Sequence, residues 1–155
     1  FMVGMLLEAL IAVHRLTGDA TVAATIPAAC TWLYNVGYEN TFITNLTNVR
    51  WRAMKYFVYS DGRVDTRSSA FEYGSEDGAI RDARQLNTTS IHAFGYAYKL
   101  TGNAQYKAWG DEIFAATYGK GQGPGADAYW ALADYDGKSY GQSYRAGPHY
   151  LAWRL

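Results

Sequence analysis

Two copies of one short turn constrain this chain more than any other feature. Leu16-Thr17-Gly18-Asp19-Ala20 and Leu100-Thr101-Gly102-Asn103-Ala104 share a Leu-Thr-Gly core followed by Asp or Asn. A run with helical spacing of apolar residues precedes each copy, and another follows it. Glycine just past a helix C-terminus adopts the left-handed conformation at little cost, and an Asp or Asn after it caps the next helix. Each copy therefore marks an antiparallel helical hairpin. The runs before the turns end in His14-Arg15-Leu16 and Tyr98-Lys99-Leu100, and Trp153-Arg154-Leu155 repeats that order of ring, base and leucine. Hairpins that cannot bury an apolar face alone stack on one another. The expected fold is all-α, built of stacked antiparallel helical hairpins.

The first helix is expected over residues 1–16. Met2, Leu6, Leu10 and Val13 share a face, and Val3, Leu7 and Ile11 widen it until apolar surface wraps most of the way round. Such a helix is expected to be buried on several sides. No helix-start signal precedes Phe1, so the sequence reads as opening inside a helix. The second helix is expected over 20–36, with Pro27 kinking it or delaying its start. From 38 to 86 the helical period is lost. Residues 40–48 read as loop, Tyr56-Phe57-Val58-Tyr59 favours strand, and Ser60-Asp61-Gly62-Arg63 is a turn signal. A small irregular or β-hairpin insert is thus expected near residues 50–66. The third helix should span 88–100, capped by Asn87, Thr88 or Ser90, and the fourth about 104–118. The fifth should run from Tyr140 to Leu155. The tight turns then share one rim and the long connections, 37–87 and 119–142, the other. Working residues concentrate on long loops held by a rigid scaffold.

Composition narrows the function classes. Hydrophobic residues make up 49% of the chain and the formal net charge is zero. With no basic run there is no electrostatic footprint for nucleic acid. The apolar stretch 1–13 is too short to span a bilayer and contains Glu8, and it lacks the basic start and cleavage site of a signal peptide. A single cysteine, Cys30, cannot form an internal disulfide and reads as a small core residue. No Cys/His cluster has zinc spacing. The sequons Asn45-Leu46-Thr47 and Asn87-Thr88-Thr89 make Asn45 and Asn87 candidate glycosylation positions and point to an extracellular or periplasmic protein.

The helix, Leu-Thr-Gly-Asp, helix pattern with an aromatic-rich long-loop rim resembles the (α/α) toroid, or six-hairpin glycosidase-like, superfamily. The closing Tyr140-Gly141-Gln142-Ser143-Tyr144-Arg145 into Tyr150-Leu151-Ala152-Trp153-Arg154 looks like the last inner helix of such a domain. Members include glycoside hydrolases, polysaccharide lyases and sugar epimerases. The resemblance implies that residues 1–155 form a single helical-hairpin domain or a C-terminal fragment of a larger (α/α) toroid domain. It implies an exported carbohydrate-active protein with a glycan or polysaccharide as partner, alongside possible further hairpins of the same protein. No metal-ligand spacing is present, and no cofactor and no metal are expected.

Candidate site residues fall into three sets. Glu72, Glu76 and Asp77 lie in one long connection, and Asp127, Asp134 and Asp136 in the other. Glycoside hydrolysis needs two facing carboxyl groups, which singles out Glu72 and Asp77 without fixing a pair. The tail holds Tyr140, Tyr144, Arg145, His149 and Tyr150. By resemblance to toroid lyases, Arg145 would neutralise a uronate carboxylate, and Tyr144 or His149 would move a proton. Arg145 and His149 are spaced to share a helix face. Trp51, Tyr73, Trp130, Tyr135 and Tyr140 are candidate platforms for sugar rings. His14, mid-helix among apolar neighbours, reads as a hydrogen-bonded core residue. Gly119-Lys120-Gly121-Gln122-Gly123-Pro124-Gly125 lacks the Walker spacing and a preceding strand, so it is not a phosphate loop. The competing class is a non-enzymatic helical-repeat module, structural or interacting, of a larger surface protein. An enzyme would bring carboxylates, or Tyr with His and Arg, into one open cleft; a scaffold would disperse them and pack its aromatics.

Overall fold

The structure, a computed structural model, describes residues 2–44, 50–54, 83–118 and 137–155. Helices dominate it: α1 (Met2–Thr17), α2 (Ala20–Trp32), α3 (Ala83–Thr101), α4 (Ala104–Tyr118) and α5 (Gly137–Trp153). A π-helical turn, Leu33–Gly37, extends α2. An antiparallel ribbon then pairs β1 (Tyr38–Thr44) with β2 (Arg50–Met54).

The two Leu-Thr-Gly turns use the same atoms in the same way. Gly18 and Gly102 have φ of 68° and 67°, and their amides donate to the carbonyls of His14 and Tyr98 at 2.8 and 2.7 Å. Thr17 Oγ1 donates to the Val13 carbonyl and accepts from the Asp19 amide. Thr101 Oγ1 does the same with Ala97 and Asn103. Asp19 Oδ1 accepts from the amides of Thr21 and Val22, and Asn103 Oδ1 from that of Gln105. The amides of Val22 and Thr21 hold the Asp19 carboxyl below its ordinary pKa. Each turn thus satisfies the last carbonyls of one helix and the first amides of the next.

Side-chain contacts fix the directions. Gly4, His14 and Glu8 of α1 meet Thr89, Tyr96 and, on α5, Arg145; Tyr96 also meets Trp153. Residue numbers rise together, so α1, α3 and α5 run parallel as one layer with α3 in the middle. Thr31 meets Tyr106, and Tyr34 meets Trp109 and Glu112, so α2 and α4 run parallel as a second layer. Phe114 and Asp111 meet Tyr150 and Arg154, so α4 is antiparallel to α5.

Helix α3 is the hub, packed against α1, α2, α4, α5 and β2. Every residue from Ser90 to Ala97 is buried, as is Thr88. The expected caps Thr88 and Ser90 therefore lie inside the helix, which starts at Ala83. Glycines allow the close approaches. A Cβ on Gly4 would come 2.5 Å from the Thr89 carbonyl oxygen, and one on Gly95 3.0 Å from Tyr150. The Tyr150 ring is fully buried, lies against Gly110 and stacks on Phe114.

The ribbon is docked at its base. Tyr38 pairs with Met54, both buried, and the register shifts between Glu39 and Ile43. Residues 40–44, expected as loop, are strand, because Ile43 and Thr44 find partners in Trp51 and Arg50. Most of the insert expected near 50–66 lies outside the described residues, as does the glycine-rich 119–125. Pro27 sits inside α2 without delaying its start, and Pro148 sits inside α5. Cys30 is buried, as a core residue should be, and burial pushes its thiol up.

One surface departs from expectation. Leu7 and Ile11 of α1 face the core, but Met2, Leu6, Ala9, Val13 and Leu16, on the opposite side, are exposed.

Replacing Gly110 tests the seat of Tyr150. A Cβ there would lie 2.5 Å from Tyr150 Cε2. Gly110→Ala is expected to lower the unfolding free energy by roughly 1–3 kcal/mol, the usual cost of overpacking. Urea denaturation measures it; an unchanged midpoint would mean the ring does not rest there.

Candidate functional site

The layer of parallel helices leaves a cleft of about 140 Å³ lined by Met5 and Glu8 of α1, Thr89 and His92 of α3, and Arg145, Ala146 and His149 of α5. Helical spacing explains the grouping. Met5 and Glu8, Thr89 and His92, and Arg145 and His149 are each three or four residues apart, so each pair shares a face of its helix.

Arg145 bridges the cleft. Its Nε donates to Glu8 Oε1 at 2.8 Å, and its Nη2 lies 2.6 Å from the same oxygen. The Arg145 side chain is 68% exposed. An ion pair that open to water contributes about 0–1 kcal/mol, so a competing carboxylate can displace Glu8 at small cost. The His149 ring stacks on Trp153 at 5.1 Å, Trp153 meets Tyr96 edge-on at 4.9 Å, and Tyr96 Oη lies 2.9 Å from His14 Nδ1. His149 is therefore positioned by a line of rings that crosses from α5 through α3 to α1. His14 has the hydrogen-bonded role its sequence context suggests.

His92 is the unusual member. It is only 3% exposed, and neither ring nitrogen has a hydrogen-bond partner among the described residues. Burial holds its pKa down to about 4; Glu8 opposes the shift, while His149 and Arg145 reinforce it. The imidazole is thus neutral at physiological pH. An unsatisfied buried polar group costs roughly 1–3 kcal/mol, so an apolar residue of similar size would serve packing better.

A second polar cluster lies between α4 and α5. Tyr150 Oη donates to Asp111 Oδ1 at 2.5 Å, with the Lys107 carbonyl 3.2 Å away. Arg154 grips both oxygens of Asp111, Nε to Oδ1 at 2.6 Å and Nη2 to Oδ2 at 2.7 Å. The Arg154 hydrogen bonds are the main reason the Asp111 carboxyl titrates below its ordinary range. Burial first, and then the Asp111 carboxylate, push the Tyr150 hydroxyl up. Every polar group here is answered by another, so the cluster is a clamp between helices.

The candidate residues divide accordingly. Arg145 and His149 come together in the cleft. Tyr144, next in line for proton transfer, is 74% exposed and does not line it. Tyr150 belongs to the clamp. Trp51 falls in β2, Tyr140 in α5 and Asn87 in α3. Glu72, Tyr73, Asp77, Trp130, Tyr135 and Asn45 lie outside the described residues. Sequence reasoning missed His92 and Glu8. Glu8 carried a signal, as a titratable residue inside an otherwise apolar helical stretch, whereas His92 follows the polar run Asn87-Thr88-Thr89-Ser90 and carried no such signal. Among the described residues, no group of three or more His, Cys, Asp or Glu is placed to hold a metal ion, and no helix is long and apolar enough to cross a membrane. Compared with protein-family models, curated proteins and solved structures, the chain matches none.

The buried imidazole fixes a pH dependence. His92 has a folded pKa near 4 against an ordinary 6.5. The unfolded chain therefore takes up a proton first as pH falls, and stability declines between about 6.5 and 4, then levels off. Linkage puts this decline on the order of 3 kcal/mol. His92→Phe is expected to flatten that part of the stability–pH profile, read from urea midpoints across the range; a slope unchanged by the substitution would contradict it.

Proposed function

We propose that the chain is part of an exported carbohydrate-active helical-hairpin array of the (α/α) toroid type, and that the cleft between α1, α3 and α5 holds an acidic sugar of a glycan. The observation that carries this reading is the meeting of Arg145 and His149 in one open cleft over the unpartnered His92. In this reading Arg145 pairs with the sugar carboxylate. A guanidinium matches a carboxylate with two parallel hydrogen bonds. His149, one turn along the same helix, is placed to handle a proton beside it. The exposed apolar stripe on α1 supports membership of a larger array, since a neighbouring hairpin would cover it.

Of the two chemistries the sequence leaves open, the cleft favours the lyase type. Hydrolysis needs a pair of carboxyl groups roughly 5–10 Å apart, whereas the described lining offers one carboxylate, Glu8, with a guanidinium and two imidazoles. Proton removal next to a carboxylate uses the latter set: a cation to stabilise the developing charge and a base to take the proton.

The second reading, a non-enzymatic helical-repeat module, draws on the packed aromatics. Tyr34 stacks on Trp109 at 4.5 Å, and Tyr106 meets the same indole edge-on. A glycan array separates the two. The proposed function predicts binding to uronate-containing polysaccharides and at least a tenfold loss in Arg145→Ala, with neutral glycans bound weakly or not at all. Absence of binding to every glycan would reject it in favour of the structural module.

A further inference from the structure

We infer that the helical layer continues from one molecule to the next, the α1 edge of one copy packing against the α5 edge of a second. This names the neighbour that the array reading calls for and rests on that part of it; it does not depend on what the cleft binds.

Helix α1 is apolar on two sides. Gly4, Leu7 and Ile11 are buried, and Gly4 meets Thr89 of α3. At 3.6 residues per turn, Met2, Leu6, Ala9, Val13 and Leu16 fall on the opposite side. All five are exposed, Met2 by 72% and Leu16 by 86%. Their spacing alternates between four and three residues, the repeat of a seam between helices. The charged residues of α1, Glu8 and Arg15, lie off this stripe. A helix that is apolar all round belongs in an interior.

Helix α5 has the same construction. Its side toward α3 carries Tyr150 against Gly95 and Trp153 against Tyr96. Tyr144, Pro148 and Leu151, again spaced four and three, fall on the opposite side, with Leu155 in register just past the helix end. All four are exposed. Because α1 and α5 flank α3 in one parallel layer, the two stripes form its outer edges.

Joining these edges repeats a contact the molecule already makes twice. Helix α1 beside α3, and α3 beside α5, are parallel neighbours that end in the same order of ring, base and leucine. Helix α5 beside the second copy's α1 is a third neighbour pair of that kind. The stripes are similar in length, about 21 and 16 Å at the helical rise. Each leaves roughly 500–600 Å² of apolar residues in water, the upper end for a monomer. Together they cover about 1,100 Å², just past the roughly 1,000 Å² that a specific interface requires. The contact joins unlike patches, so it closes into a ring or runs on as a filament and does not stop at a dimer. The stripes share no residue with the cleft lining, which the contact leaves open.

Sedimentation of the full chain over a wide concentration range tests the inference. The unaltered protein should form multiples of 17.2 kDa that grow past the dimer as concentration rises. Leu6 and Leu151 are 58% and 45% exposed, so Leu6→Lys and Leu151→Lys should each leave the urea midpoint unchanged and weaken assembly at least tenfold. Each variant retains one intact edge, so a mixture of the two should pair one to one and stop at a dimer. A chain that is monomeric at every concentration overturns the inference, and the glycan array still decides the function of the cleft. A monomer that sediments with phosphatidylcholine vesicles overturns it too, by giving the α1 stripe to a lipid surface. Leu151→Lys assembling as tightly as the unaltered chain, or a mixture that forms no dimer, overturns the pairing of α1 with α5.

Discussion

Burial of residues 90–97 of α3 on every side is the constraint from which the other features follow. Over that stretch, enclosure by four other helices and a strand leaves no solvent face on which to place polar groups, and the neighbours must come close. Glycine supplies the closeness where the backbone or a large ring arrives: Gly4 against Thr89, and Gly95 and Gly110 against Tyr150. The same enclosure explains His92. On a surface helix it would be hydrated and would titrate in the ordinary range. On α3 it is buried, neutral and without a hydrogen-bond partner among the described residues. Its cost to stability is comparable to that of a sizeable single-residue defect, which makes a role in the cleft the economical explanation.

The turns and the cleft mark how far the sequence could be read. The hairpins were legible because the chemistry of Leu-Thr-Gly-Asp is local: a threonine hydroxyl, a left-handed glycine and a capping oxygen act within a few residues of one another. The stacking of helices followed from their apolar spacing. The hub position of α3 did not, since Thr88, Ser90, His92 and Gly95 give that helix a polar look and suggested a later start. The cleft was less legible still. Glu8 and Arg145 are 137 residues apart, and only the parallel layer of α1, α3 and α5 brings them together. Arg145 and His149 were recognisable as a pair because one helix turn separates them; Glu8 was visible as an isolated titratable residue and His92 followed a polar run, with nothing local to show that they face the same space.

Helix α5 shows how one segment serves two purposes. Tyr150 and Arg154 turn toward α4, where Asp111 answers both and the hydrogen-bonding capacity is used up. Arg145 and His149 turn toward α1 and α3, where it is not. The tail residues Tyr144, Arg145, His149 and Tyr150 look alike in sequence as a cluster of polar aromatics and bases, but the helix sorts them onto separate faces. The clamp holds α5 at a fixed height against α4, and the ring line from His149 through Trp153 and Tyr96 to His14 holds it against the layer. Rigid placement of the first residues around a ligand by such second contacts is what a selective site requires.

His92 is central to the cleft as a neutral imidazole with no hydrogen-bond partner among the described residues. Its protonation state can be observed directly from the ¹⁵N chemical shifts of the imidazole as pH is lowered in the folded, ligand-free protein. A ring that stays neutral through pH 6.5 and titrates only near 4 is the result predicted. A His92 that titrates in the ordinary range would show that water or another group already satisfies it, and would contradict the account of the cleft.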